Sequence, residues 1–397
     1  MINRIEVGRK IAAQFQSPIV LFTGGTGSRP LAMELAKHTS NISYLIHTAD
    51  DGGSTGAIRD LFKNIPGIGD FRSRLIDLSD SETGGHKELL ALMKHRLPKE
   101  YSLETAEKEL ETLIDGTHSL ITAVKHSGSN LVDCWLDAFN SALRSFDSSR
   151  TLAAKKFDPR GASVGNLFLT GLYLLNDSLP EAISFYCELL SVKGEIIPAT
   201  LENVTLAGRM NDGQTIKGQH TITAAANGPV RDLWHIDFRS RQKVEPQIFE
   251  GARKAIEEAN LLVYSIGSLW TSIFSTLHIK GMAEAIRKSS AQKVFLIPSY
   301  EDAETRGMKA SDMVDELLRV LRLNGGEADD SSYLTAVVGN TLFPPESVLR
   351  FVNFNGEIIS REHPLIEVCG EELLSGDQKT FDPQTLAYIL FSFLGSK

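Results

Sequence analysis

The sequence predicts an α/β fold: a doubly wound, mostly parallel sheet with a helical insertion and a small β-rich excursion. Three observations lead there. Strand, small-residue loop and helix alternate twice within the first sixty residues. The same alternation returns near residue 250. The strands themselves are unbroken apolar runs, as in Pro18-Ile-Val-Leu-Phe22, which suits parallel strands covered on both faces.

Ile5–Gln16 reads as a lead-in helix. Pro18–Phe22 is the first strand, followed by Thr23-Gly-Gly-Thr-Gly27 and a helix over Pro30–Lys37. Asn41–Thr48 is the second strand, and it runs into Ala49-Asp-Asp-Gly-Gly-Ser-Thr-Gly56 and a helix from Ala57. The stretch 84–157 is helical in pattern, with apolar periodicity at Leu89–Met93, Leu103–Ile114 and Leu131–Phe146, and reads as an insertion. Two apolar helices follow, from Gly165 and from Leu179. The β-rich excursion covers 194–245, with strands expected at Gly194–Thr200, Val204–Ala207, Thr215–Thr223 and Trp234–Phe238. Helix Glu250–Asn260 leads into strand Leu261–Ser265 and the loop Ile266–Ser272. Strands at Lys293–Pro298 and Thr335–Val338 close the series.

In such a sheet ligands sit beyond the carboxyl ends of the strands. Three strand-to-helix junctions carry glycine, serine and threonine there: Thr23–Ser28, Asp50–Gly56 and Gly267–Ser272. Glycine lets the main chain approach a phosphate, and the helix behind it offers unpaired N–H groups and partial positive charge. Gly24, Gly25, Thr26, Gly27, Gly52, Gly53, Ser54, Gly267, Ser268, Thr271 and Ser272 are therefore candidate ligand contacts. Tight turns and helix caps use the same residues without any ligand, so it is the threefold recurrence that counts. The first loop lacks the third glycine of G-x-G-x-x-G and the Gly-Lys-Ser/Thr of a P-loop. Asp50 and Asp51 precede Gly52, and two carboxylates facing a phosphate call for a bridging cation, so both are candidate Mg²⁺ ligands. Asp50, Asp70 and Arg72 are candidate catalytic residues. The last two fall in Pro66-Gly-Ile-Gly-Asp-Phe-Arg72, where a guanidinium could grip phosphate.

The net charge of −9 argues against nucleic acid or an anionic membrane as partner. Cys134, Cys187 and Cys369 are scattered and fit small buried residues in a reducing compartment. With no apolar leader and no long apolar run, the expected location is cytoplasmic. His86, His95, His118 and His126 fall in the helical stretch with irregular spacing. They read as solvated helix positions, as does the Glu/Lys-rich segment Lys99–Glu111. Trp270, in the third loop, is the one tryptophan that could meet a ligand.

The order of Thr23–Gly27, Ala49–Gly56, Gly69-Asp-Phe-Arg72, Val164-Gly-Asn-Leu-Phe168, Gly194–Thr200 and Gly267–Ser272 resembles the CofD/YvcK family across about residues 20–310. The resemblance implies a Rossmann-like three-layer fold, often in homodimers. It implies binding of a nucleotide diphosphate ester or nucleotide sugar. Transferase members move a phospholactyl-type group to a deazaflavin with Mg²⁺ and release GMP. YvcK-like members bind a nucleotide sugar and act in carbon metabolism and cell-wall regulation. Asn166 matches the asparagine of the family's Gly-His-x-x-Gly-Asn stretch. Ala162 stands at its histidine, and Ser265-Ile-Gly-Ser268 replaces Gly-Pro-Gly-Ser, which points to a divergent branch. Two functions follow: an enzyme transferring a phosphorylated group, or a ligand sensor that consumes nothing. A nicotinamide dehydrogenase is a weaker third.

Overall fold

A computed structural model describes residues 3–12, 17–80, 86–127, 132–153, 155–226, 228–342, 350–375 and 381–395. The last four positions of the expected lead-in helix, 13–16, and the first positions of the expected insertion, 84–85, lie outside the described residues. The chain forms two compact units, one from Met1–His47 with Ile197–Lys397, the other from Thr48–Ile196.

Ten strands are described: β1 (Ile19–Phe22), β2 (Ile42–Ile46), β3 (Glu195–Pro198), β4 (Val204–Arg209), β5 (Thr215–Lys217), β6 (Asp232–Asp237), β7 (Leu261–Tyr264), β8 (Gln292–Leu296), β9 (Ala336–Asn340) and β10 (Glu367–Glu371). Seven make one parallel sheet in the order β10-β9-β8-β7-β1-β2-β3, and β5-β4-β6 make a small antiparallel sheet. β1 pairs in parallel with β2 on one side and β7 on the other. Chain order therefore reverses between β1 and β7, the switch point of a doubly wound sheet. All four residues of β1 and of β7 are buried, as continuous apolar runs require.

Ser28 stands at the N-cap of the Arg29–His38 helix, with Pro30 in its first turn, where a missing N–H costs nothing. Several elements differ from expectation. Thr215–Thr223 is not one strand: β5 stops at Lys217, and Gly218, at φ +112°, turns the chain into a Gln219–Ala225 helix. β10 and the helix Pro383–Ser392 were not anticipated; the helix packs on Arg4–Ala12.

The second unit is helical apart from its end in β3. The expected insertion lies within it, as helices His86–Lys94, Leu103–Asp115, Ser119–Lys125 and Val132–Leu152. Val164–Asn176 is the central helix, buried continuously from Val164 to Leu172. Among the described residues no helix is long and apolar enough to cross a membrane. Cys369 is buried and Cys187 half-buried, but Cys134 is exposed, against the expectation of three buried thiols. His86 is likewise buried rather than solvated, its ring 5.0 Å from that of Trp135.

Candidate functional site

The first and third loops leave β1 and β7 at the same edge of the first unit, because those strands are parallel neighbours. They pack on each other. A Cβ on Gly24 would lie 2.6 Å from Ser272 Oγ and 2.7 Å from its Cβ, and one on Gly27 would lie 3.1 Å from the Gly267 Cα. A side chain at Gly24 would thus force the loops apart, and one at Gly27 would press on the facing backbone. Gly25 is half-buried, Thr26 and Gly27 are exposed, and the Thr23 and Ser28 hydroxyls bond to each other.

The third loop enters a wide helical turn, Leu269–Phe274. Its donors meet an internal anion. The Glu304 carboxylate accepts the Trp270 and Thr271 N–H groups, each at 3.1 Å, and the Thr271 hydroxyl at 2.6 Å. The Thr223 hydroxyl donates to it as well, at 3.0 Å. Burial raises the Glu304 pKa, against the pull of these hydrogen bonds. Thr271, Ser272 and Trp270 are buried, so Trp270 is a core residue. Gly267 and Ser268 are half-buried, and their N–H groups have no partner among the described residues.

The second loop belongs to the second unit. Asp50 Oδ1 accepts the Gly52 N–H at 3.0 Å, and Arg59 Nη1 donates to the Asp50 carbonyl at 2.7 Å. The Pro66–Gly69 segment wraps this turn closely: Gly67 N–H donates to the Thr48 carbonyl at 2.9 Å, and a Cβ on Gly69 would overlap Asp50 Oδ2 and Thr55 Oγ1. Helix Gly53–Leu61 then starts at Gly52 with no side-chain cap. The N–H groups of Gly53, Ser54 and Thr55 have no acceptor among the described residues. Gly53 sits at φ +49°, where a Cβ would meet nothing within 4 Å.

One amide organises what surrounds that helix end. Asn166 Nδ2 donates to Ser54 Oγ at 2.8 Å and to Thr55 Oγ1 at 3.4 Å. Its Oδ1 accepts Arg72 Nε at 2.9 Å. Arg72 is half-buried, and its outer nitrogens have no partner among the described residues. Burial lowers its pKa, while Tyr186, Asp77 and Asp50 favour its charge. Asp70 is half-buried as a residue, but protein surrounds its carboxyl. Burial pushes its pKa up to about 6 despite Arg74 and Arg72. Asp51 is half-buried, and its carbonyl packs on Gly56. Asp50, Ser54, Arg72 and Asn166 are thus brought together, with Asp70 beside Arg72.

Sequence reasoning missed two participants. Glu304 has no motif around it. Tyr186 places its hydroxyl beside Gly165, where a Cβ would lie 2.9 Å from it and 3.1 Å from Arg72 Cδ.

The profile of the family described as "2-phospho-L-lactate transferase CofD" matches residues 19–362. This chain belongs to the CofD family. A relative from Aquifex aeolicus, named provisionally as a gluconeogenesis factor, is 28% identical over 391 residues, covering 95% of the chain and 96% of the relative. A "Gluconeogenesis factor" of Halalkalibacterium halodurans is 28% identical over 301 residues, 76% of this chain and 72% of its own. The solved structure of a UPF0052-family protein from Bacillus halodurans superposes with a TM-score of 0.69 at 21% identity, over 94% of this CofD-family chain and 99% of that one; this shows the shared fold.

Proposed function

We propose that this CofD-family protein binds a nucleotide diphosphate ester and transfers its phosphorylated group with release of a nucleoside monophosphate. The observation that carries the reading is the amino end of helix Gly53–Leu61. Three main-chain N–H groups there have no acceptor among the described residues, and Asn166 ties them to an arginine whose outer nitrogens have no partner among those residues. Main-chain donors, a helix dipole and a guanidinium fork suit an oxyanion with more than one charge. Gly24, Gly25, Thr26, Gly27, Gly267 and Ser268, all of the first unit, are read as ligand contacts of that unit.

Asp50 and Asp51 would hold Mg²⁺. Asp50 Oδ2 and Thr55 Oγ1 both line the Gly69 backbone, and oxygen donors are what a hard cation takes together with phosphate oxygens. When bound, it would supply charge neutralisation at the bridging phosphates. The residues do the rest. Arg72 and the helix N–H groups orient the phosphate and stabilise charge on its oxygens. Asp70, with a pKa near 6, is mostly ionised at pH 7, and since protein surrounds its carboxyl it acts on the site through the charge of the adjoining Arg72. The reading includes a cytoplasmic homodimer.

The second reading is a non-enzymatic, nucleotide-sugar-binding regulator of carbon metabolism and cell-wall synthesis; the relatives' names, gluconeogenesis factor, touch only its link to carbon metabolism. Calorimetry with a panel of guanosine and uridine diphosphate esters, followed by chromatography of the recovered ligand, separates the two. Transfer predicts Mg²⁺-dependent breakdown that Asp50→Asn abolishes without loss of fold. Ligand recovered intact under every acceptor tried would sink it, leaving the regulator; no binding would sink both.

A further inference from the structure

We propose that the helical part of the second unit holds a divalent transition metal of the zinc type on His95, Glu109 and His118. These residues are 14 and 9 positions apart and sit on three different elements. His95 follows helix His86–Lys94, Glu109 lies on Leu103–Asp115, and His118 is the N-cap of Ser119–Lys125. The fold brings one ligand atom from each within 4.8 Å of the others. His95 Nε2 stands 2.6 Å from Glu109 Oε1 and His118 Nε2 stands 3.4 Å from the same oxygen.

Two imidazoles and one carboxylate are a common zinc set, and ligands at about 2.0–2.2 Å in a tetrahedron lie about 3.3 Å apart. The His118–Glu109 pair already has that spacing, and His95 must withdraw by well under an ångström. The three side chains are 24, 14 and 13% exposed, which leaves a water position for the fourth ligand and a path for entry.

The backbone holds the corner in place. Gly116, in the left-handed conformation at φ +80°, ends the Glu109 helix, and the N–H groups of Thr117 and His118 both return to the Thr112 carbonyl at 3.0 Å. Without a metal, His95 donates Nε2–H to Glu109, while His118, whose Nδ1 accepts the Leu120 N–H, carries its proton on Nε2 at 3.4 Å from the same oxygen. To ligate, each ring moves that proton to Nδ1 and gives the Nε2 lone pair to the ion. His95 Nδ1 has no partner among the described residues and can take the proton. His118 Nδ1 accepts the Leu120 N–H at 3.2 Å, so ligation costs the helix this cap. One lost cap weakens affinity by about tenfold. Three ligand bonds outweigh that easily.

The loss of the cap makes the test selective. The full chain, carrying Cys134→Ser to remove an exposed thiol, is titrated with Zn²⁺ against a chromophoric chelator, and its melting is followed with and without Zn²⁺. We expect one tight equivalent and a higher melting temperature with the metal. His95→Ala and Glu109→Gln should each weaken binding at least tenfold. His118→Asn replaces one good cap by another, so it should melt like the parent without zinc yet gain nothing from it. Absence of a stoichiometric equivalent overturns the proposal, as does an affinity that these three substitutions leave unchanged.

Discussion

The loops of the two units look alike as sequence and behave differently as structure. In the first unit, Gly24 makes room for Ser272 and Gly27 for Gly267, and the Thr271 donors are taken by Glu304. There the glycines and N–H groups serve the protein itself. In the second unit, Gly53 faces open space, and the donors of Gly53, Ser54 and Thr55 have no partner among the described residues. Glycine at a strand-to-helix turn marks a close approach. Only the neighbours show whether protein or ligand makes that approach.

The sharpest way to break this comparison is to remove the guanidinium. Arg72→Ala should weaken binding of a nucleotide diphosphate by about 100-fold or more in calorimetry, because a charge-assisted contact is lost from a partly buried site. Stability should also fall by about 1–2 kcal/mol, because the buried Asn166 Oδ1 loses its donor; unaltered affinity of the folded variant would detach Arg72 from the ligand. Next comes Glu304→Ala, which leaves two N–H groups and two hydroxyls without their acceptor. Denaturant unfolding should show a loss of about 2–3 kcal/mol. Tighter phosphate binding in that variant, rather than a weaker fold, would mean the first unit's donors also await a ligand. Gly24→Ala should cost about 1–3 kcal/mol through overlap with Ser272. Gly53→Ala should cost about 1 kcal/mol, from left-handed backbone alone.

The smallest effect is in the pH dependence. In the first unit, burial with His278 and His47 nearby holds His235 down to about 3, and burial with Arg319 nearby holds His278 down to about 4. Both are buried neutral, so their contribution is complete above pH 6.5. It is lost as the unfolded chain takes up protons and pH falls toward those values. Asp70 has the opposite sign. Its pKa is raised to about 6, so it favours the folded state increasingly as pH falls from 6 toward 3.8. Asp70→Asn should therefore make the stability loss between pH 7 and 5 steeper by about 1 kcal/mol. An identical slope would show that Asp70 ionises normally.

Much of the sheet was legible in the sequence. Apolar runs at Pro18–Phe22 and Leu261–Ser265 have no polar alternation, and both are fully covered strands. The glycine loops were legible as turns for the same local reason. What periodicity cannot carry is pairing across distance. Arg72 and Asn166 are 94 residues apart. Asn166 was singled out only through family resemblance, and nothing in its neighbours announces an amide bridging an arginine to a helix end. Glu304 lies 34 and 33 positions from the N–H groups it accepts. His95, Glu109 and His118 looked irregular along the chain because helix turns and a left-handed glycine, not sequence spacing, set their meeting. The Gln219–Ala225 helix was misread because Thr and Ile favour strands, while Gly218 redirects the chain.

The most direct test of the binding site is an amide-resolved NMR titration of the intact protein with a nucleoside diphosphate, with and without Mg²⁺. The Gly53, Ser54 and Thr55 N–H signals should shift together, saturate at the calorimetric affinity, and stay still in Arg72→Ala. Saturable binding that leaves those three signals unmoved, with shifts confined to Gly24–Gly27 and Gly267, would contradict the assignment of the phosphates to the second unit.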